Sequence, residues 1–250
     1  MTIVEAIGFD LFNTLITVHP AAMKEAHDRM IVALADQGLC VERGSFLGAY
    51  VEAAKRFLLE AHKEGKETHN RFWIAAALAR QGYTIAPSDP RVAAAVDAYF
   101  TAFYPHCRLV PGTRELLEEL QGRFRLGLLT NFTDASAGER IIEETGLGPF
   151  FAAILISGRL GYRKPHPYVF TRLVQELGVP PDRVLFVGDD LEADFQGAKA
   201  AGLNAVLATY VRDSDVPTVH NPLSEPPREC PEGVPTISSW DDLRTVLHAS

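Results

Sequence analysis

The period of the hydrophobic positions changes twice along this 250-residue chain. Residues 3–9 (Ile-Val-Glu-Ala-Ile-Gly-Phe) form a short, β-branched, mostly apolar run, which predicts a buried strand ending at Asp10. From Ala21 to about His106, apolar residues recur at three and four positions, as at Phe46, Tyr50, Ala53, Phe57, Leu58 and Ala61. This spacing predicts helices over Ala22–Gln37, Gly44–Lys63, Thr68–Gln81 and Pro90–Phe103, with Gly38, Gly65, Gly82 and residues 87–90 (Pro-Ser-Asp-Pro) as the breaks. Four helices without a strand between them predict a helical bundle inserted after the first strand. Its aromatics, Phe57, Phe72, Trp73, Tyr99 and Phe103, are expected to form the bundle core.

After Val110-Pro111-Gly112 the pattern becomes an alternation of strand and helix. Helices are predicted over Thr113–Gln121, Ala135–Thr145, Pro167–Leu177 and Glu192–Ala201. Apolar runs at Arg125–Thr130, Ala152–Ser157, Arg183–Val187 and Asn204–Ala208 predict strands. Strands separated by helices of ten to fifteen residues predict βαβ units and a parallel sheet, and continuous apolar runs suit strands covered on both faces. The fold class expected is therefore α/β, a doubly wound parallel-sheet core made of residues 1–16 and 110–250. The helical bundle, residues 17–109, is expected as a second, cap domain, with hinges near 16–20 and 108–112. Residues 213–235 hold six of the sixteen prolines and are expected as an extended surface loop. Ser239–His248 predicts a closing helix with Ser239 as its N-cap.

Composition narrows the function. Hydrophobic residues make up 47% of the chain and the formal net charge is -8. With no basic stripe to neutralise phosphates, nucleic acids and anionic membranes are excluded as main partners. Three scattered cysteines (Cys40, Cys107, Cys230) offer neither a disulfide framework nor a zinc site. No signal-peptide pattern opens the chain and no apolar run reaches membrane-spanning length, so a cytoplasmic location is expected.

The residues that can carry chemistry stand after apolar strands: Asp10; Thr130 and Asn131; Arg163-Lys164-Pro165; and Asp189, Asp190 and Asp194. Taken singly, each has a plain structural explanation as turn former, solvated lysine or helix-capping acid. In a parallel sheet, however, the carboxyl ends of the strands share one edge, where ligands bind. Carboxylates at Asp10 and Asp189 are hard oxygen ligands suited to Mg²⁺. Lys164 adds positive charge, and Thr130 and Asn131 add hydrogen-bond donors. Together they make a cradle for a phosphoryl group, with Asp10 able to act as a nucleophile through an aspartyl-phosphate.

The stretches FDLFNTL, LLTNFTD, GYRKPHPYVF and FVGDDLEADFQGAKAAGL, in this order, resemble the haloacid dehalogenase-like hydrolase superfamily, in the branch with a helical cap after the first motif. The resemblance covers all but the proline-rich segment. It implies a Rossmann-like core with Asp10 as nucleophile, Thr130 and Asn131 binding the transferred group, and Lys164 steadying nucleophile and intermediate. It further implies Mg²⁺ held by Asp10, the backbone oxygen of Phe12, Asp189 and Asp190, with Asp194 nearby. One position departs: the family's phosphatases carry a second Asp two residues after the nucleophile, as general acid and base. Here Phe12 stands there, which removes help worth roughly 10²–10⁴-fold. His19 and His62 are candidate proton donors in its place.

The reading that follows is a Mg²⁺-dependent phosphohydrolase acting on a small phosphorylated metabolite. A 2-haloacid dehalogenase, attacking carbon with Asp10 and no metal, is the first alternative. It fits an aromatic at Phe12 and an early cap arginine (Arg29 or Arg43), but not the acidic GDDLEAD stretch, nor Phe170, where dehalogenases often show Tyr. A hydrolase relative kept as a binding or regulatory protein is the second alternative. Monomer and homodimer both suit the pattern.

Overall fold

The computed structural model describes residues 3–214, 216–219 and 232–248. A six-stranded sheet, parallel throughout, carries the rest of the chain. Strand β1 is Ala6–Phe9 and a tight turn leads to β2, Ile16–Val18. Four helices follow: α1 (Ala21–Asp36), α2 (Arg43–Glu64), α3 (Asn70–Arg80) and α4 (Pro90–Thr101). The chain returns through β3, Cys107–Leu109, which pairs antiparallel with β2. Then α5 (Thr113–Gln121), β4 (Arg125–Thr130), α6 (Ala135–Glu144), β5 (Ala153–Ile156), the short α7 (Ser157–Leu160) and α8 (Pro167–Leu177) alternate. After β6 (Val184–Gly188) comes a π-helical stretch, Leu191–Gln196, continued by α9 (Gly197–Ala200). Finally come β7 (Asn204–Ala208), β8 (Thr236–Ile237) and α10 (Trp240–His248).

The strand order is β5-β4-β1-β6-β7-β8, so the first strand lies near the middle and the winding reverses beside it. The α/β fold class expected from the alternation is the one observed. The central strands are apolar along most of their length because helices cover both faces: Ile7, Phe9, Leu128, Phe186 and Val187 are fully buried. On one face, α8 lies close to the sheet because β1 and β4 carry glycine beneath it. A Cβ on Gly8 would stand 2.9 Å from Leu173, and one on Gly127 would stand 2.6 Å from it. The opposite face shares one hydrophobic core with the inserted helices, from Ile7, Phe9 and Leu128 up to Met30, Phe46, Ile74 and Val96.

Three features differ from the sequence expectation. The β2–β3 ribbon has three-residue strands, too short to show a period, and it stands where the hinges were expected. The helix expected over Glu192–Ala201 begins as a π-helical stretch. Of the aromatics assigned to the bundle core, Trp73, Tyr99 and Phe103 are buried, but Phe72 is 36% exposed. Phe72 meets half-buried Phe57 at a tilt, with 6.1 Å between centroids, and Arg71 and Arg56 lie over the two rings. Most of the proline-rich segment lies outside the described residues. Its beginning runs along β2, where Val219 N–H donates to the Val18 carbonyl at 3.0 Å. Among the described residues, no helix is long and apolar enough to cross a membrane.

Candidate active site

The carboxyl edge of the sheet gathers the sequence-predicted residues. Asp10 directly follows β1, and its backbone N–H donates to the Val187 carbonyl of β6 at 2.9 Å, so its position is tied to the neighbouring strand. The chain then turns sharply. Asn13 takes φ 58°, an unusual left-handed conformation that asparagine tolerates better than most residues. Its side chain is held by the C-terminal segment, accepting from Thr218 Oγ1 at 2.6 Å and donating to the Val219 carbonyl at 3.3 Å. Tyr210 Oη donates to the Thr14 carbonyl at 2.6 Å, fixing the other side of the same turn.

Lys164 arrives from the loop before α8. Asn131, just past the end of β4, grips its backbone in both directions. The Asn131 carbonyl oxygen Oδ1 accepts from Lys164 N–H at 2.8 Å, and its Nδ2 donates to the Lys164 carbonyl at 3.0 Å. The amide of Asn131 therefore positions the lysine instead of facing the cavity as a free donor. From that anchored backbone the buried ammonium reaches Asp10 Oδ1 at 2.6 Å, Asp194 Oδ1 at 2.6 Å and the Leu129 carbonyl at 2.9 Å. Burial alone would make the ammonium easier to deprotonate. The charges and hydrogen bonds of Asp10 and Asp194 outweigh it and hold Lys164 above its usual range.

Asp189 and Asp190 follow β6, and the structure gives them different positions. Asp190 caps the next turn, its Oδ1 accepting from the backbone N–H groups of Glu192 and Ala193, both at 2.9 Å. Asp194 turns back from the π-helical stretch: its Oδ2 accepts from Asp190 N–H at 3.0 Å while Oδ1 meets Lys164. The wider π turn, with Asp194 and Phe195 both donating to the Asp190 carbonyl, aims this carboxylate at the lysine. Gly188 makes room for it, since a Cβ there would lie 2.3 Å from the Asp194 carboxyl. Asp10, Asp189 and Asp194 each offer an oxygen, all within 4.8 Å of one another. Burial and the charges of Asp10, Asp194 and Asp190 push the Asp189 carboxyl well above the usual range; the Lys164 charge only partly offsets them. Burial likewise raises Asp194, to about 7, against the pull of Lys164.

Three acids facing one ammonium fit a divalent cation: the donors are hard oxygens, and the remaining repulsion is what a cation would relieve. Thr130 fits an anionic ligand beside it. It is 1% exposed, and its Oγ1 is buried with no hydrogen-bond partner among the described residues. Such an orphaned hydroxyl costs free energy unless a ligand engages it.

Above this edge is a cavity of about 850 Å³, lined below by Asp10, Thr130, Asn131, Lys164 and Asp189. Its upper wall comes from α1, α2, α3 and α4. Phe12 points into this space and stacks on Phe132, with ring centroids 5.1 Å apart at 20°. The other candidates lie elsewhere. His19 is exposed and its Nδ1 caps α1 through Ala21 N–H at 3.2 Å; His62 pairs with Glu192 at 3.4 Å. Arg29 bonds Thr101, Arg43 pairs with Asp28, and Phe170 is fully buried against Phe186. None of these five lines the cavity.

Sequence reasoning missed Glu67, a cavity residue from the α2–α3 loop. Its Oε2 accepts from Ser157 Oγ at 2.5 Å and its Oε1 lies 3.4 Å from Arg163 Nη1. Beside it, Arg163 N–H donates to the Gly65 carbonyl and Glu67 N–H to the Gly161 carbonyl, both at 3.0 Å. Only a break between two predicted helices marked this loop; its partners lie about 90 residues downstream, so no local pattern could reveal them.

Residues 4–202 match the family model described as haloacid dehalogenase-like hydrolase. The chain is 29% identical to a ribulose-1,5-bisphosphate 5-phosphatase of Halopiger xanaduensis, over 95% of this chain and 98% of the relative. It is 32% identical to a glyceraldehyde 3-phosphate phosphatase of Methanopyrus kandleri, over 81% of this chain and 83% of the relative. Among solved structures, a 2-haloacid dehalogenase of Pseudomonas syringae superposes with a TM-score of 0.74 at 22% identity, covering 99% of both chains. At that identity the likeness concerns the fold.

Proposed function

This chain belongs to the haloacid dehalogenase-like hydrolase family, and from that premise we propose that it is a phosphohydrolase working through Asp10, on a small phosphorylated molecule. The observation that carries the reading is the acidic trio Asp10, Asp189 and Asp194, its oxygens within 4.8 Å of one another around a buried lysine. A dehalogenase attacking a neutral carbon has no use for such a cation-binding edge, and the phosphatases among the relatives support the same choice.

In this reading the Asp10 carboxylate attacks phosphorus, and Lys164 keeps it oriented and offsets the charge gathering at the phosphoryl oxygens. Thr130 Oγ1 donates to one of those oxygens. Asp194 and Asn131 act one step removed, fixing the side chain and the backbone of Lys164. Asp10, Asp189 and the backbone oxygen of Phe12 would hold Mg²⁺, with Asp194 and Asp190 beside them; the ion supplies positive charge that lets two anions approach. Residues 17–109 would act as a cap over the core formed by 1–16 and 110–250. The Glu67–Ser157–Arg163 contacts would hold that cap against the sheet edge and limit the access of bulk water to the cavity.

The test is release of inorganic phosphate from an activated phosphate ester, with Mg²⁺ and with EDTA, by the native protein and by Asp10→Asn. The expected result is turnover that requires Mg²⁺ and falls at least about 10³-fold in the variant. Halide release from a 2-haloacid, unaffected by EDTA and without phosphate release, would reverse the assignment.

A further inference from the structure

The cavity places an unusual ceiling over the phosphoryl-binding edge. From Phe12 the rings form an unbroken chain: Phe12 to Phe132 at 5.1 Å, Phe132 to Phe100 at 5.3 Å, Phe100 to Tyr99 at 5.2 Å. It continues from Tyr99 to Tyr50 at 6.1 Å and from Tyr50 to Trp73 at 6.0 Å. All six line the cavity, and four of them (Tyr50, Trp73, Tyr99 and Phe100) are less than 9% exposed. Beyond the Tyr50 hydroxyl, which is buried with no hydrogen-bond partner among the described residues, these rings offer a polyol little to pair with, and each hydroxyl buried unpaired costs roughly 1–3 kcal/mol. A flat aromatic ring would stack or meet them edge-on.

A second, independent observation concerns the leaving group. Phe12 stands where, by resemblance, the family's phosphatases carry their proton donor, and the carboxylates facing the cavity other than Asp10 and Asp189, which the phosphohydrolase reading assigns to attack and to the cation, are engaged elsewhere. Glu67 is held by Ser157 and Arg163, Asp190 caps the turn after β6, and Asp194 bonds Lys164 and Asp190 N–H. Glu192 pairs with His62. His27, also on the wall, is packed between Tyr50 and Tyr99, and its imidazole loses its proton more readily than usual because burial and then Arg43 disfavour the charge. A leaving group that must depart without a proton has to be a stable oxyanion. A phenol ionises near pH 10, whereas an aliphatic alcohol lies close to water, at about 15.7.

Resting on the phosphohydrolase reading above, we infer that the substrates are aryl phosphomonoesters, molecules whose phosphate sits on a phenolic oxygen. In the first step an Asp10 oxygen bonds phosphorus while the bond from phosphorus to the aryl oxygen breaks. The bonding pair leaves on the phenolate, which takes its proton from solvent outside the cavity. In the second step a water oxygen bonds the same phosphorus, the bond to Asp10 breaks, and phosphate departs, the water proton passing to solvent.

The experiment compares kcat/KM, by inorganic phosphate release with Mg²⁺, across three sets of compounds. These are substituted phenyl phosphates graded by phenol pKa, a simple sugar phosphate, and a 5′-mononucleotide, which carries an aromatic base on an alkyl leaving group. The expected result is a steep fall in kcat/KM as phenol pKa rises, with the sugar phosphate and the nucleotide at least about 10²-fold below phenyl phosphate. Phe12→Asp should flatten that dependence and raise turnover of the alkyl esters by roughly 10²-fold or more. Phe100→Leu should raise KM for the aryl esters by roughly two- to tenfold at similar kcat. A flat dependence, or sugar phosphate turnover within tenfold of phenyl phosphate, would overturn the inference and leave the phosphohydrolase reading standing. So would a nucleotide hydrolysed as well as the aryl esters, because the ring alone would then matter. Absence of phosphate release from every compound would overturn both.

Discussion

The floor and the ceiling of the cavity are built on opposite principles. On the floor, Asp10, Lys164 and Asp194 are set by hydrogen bonds that involve backbone groups. Asp10 hangs from β1 and bonds β6, Lys164 is gripped through its own peptide by Asn131, and Asp194 is aimed by a π turn over a glycine. The ceiling consists of side chains on α2, α3 and α4 that touch one another through ring edges and faces, with little polar bonding. Polar chemistry demands fixed distances, since an ion pair or hydrogen bond fails when displaced by an ångström. Aromatic surface tolerates such shifts. A molecule can therefore keep one reaction and change what it acts on by altering the ceiling alone.

Breaking the floor should have the larger consequences. Lys164→Met removes the cation from between Asp10 and Asp194, so turnover of every substrate should fall by at least about 10²-fold. Leaving three acids facing each other should also cost roughly 3–5 kcal/mol of stability at pH 8. Urea denaturation should show that loss shrinking at pH 5, because without the pull of Lys164 the Asp194 carboxyl holds its proton even more readily than in the native protein. An unchanged midpoint at pH 8 would mean that the ion pairs do not hold the floor together. Gly188→Ala comes next: its methyl would meet the Asp194 carboxyl and push it off the lysine, costing about 1–3 kcal/mol and most of the activity. If the Gly188→Ala protein were fully active and equally stable, Asp194 would be dispensable for setting Lys164.

The smallest effect sharpens the comparison without a mutation. Asp189 and Asp194 have carboxyls raised above their unfolded values, so the folded protein holds protons that the unfolded chain releases near pH 4. Without a divalent cation, the floor's contribution to stability is therefore greatest below about pH 4 and declines as pH rises towards 7 and beyond. Mg²⁺ favours the ionised forms, so its stabilisation should grow over the same range. At 100 times its Kd it should add about 2.7 kcal/mol at pH 8, and clearly less at pH 5. Thermal melts with Mg²⁺ and with EDTA across that pH range test this; a Mg²⁺ effect independent of pH would argue that the ion binds away from these acids.

The same contrast explains what was legible in the sequence. Strand ends mark the floor, because a polar residue stopping an apolar run is a local signal, and Asp10, Thr130 and Asp189 all stand at such stops. Helix α5, strand β4 and helix α8 have the bounds that periodicity predicts. What escaped depends on partners distant in the chain. The grip of Asn131 on Lys164 spans 33 residues, and the Asp194 carboxyl fills space that Gly188 leaves open. The ceiling escaped for another reason. Tyr50, Trp73 and Tyr99 recur with the helical period that also marks core residues, and a ring facing a cavity has the same spacing as one facing another helix.

The central place of β1 has a consequence for how the molecule is made. On the ribosome this strand appears well before its neighbours β4 and β6, which end at residues 130 and 188. At typical synthesis speeds of about 5–20 residues per second, the second neighbour is complete on the order of ten to forty seconds later. Over that interval α1 to α4 can pack on one another through local contacts, while β1 waits with an unpaired edge open to other chains. Asp10 is thus translated long before both neighbours of its strand, and the sheet edge that gathers Asp10, Lys164 and Asp189 cannot assemble until β6 is complete.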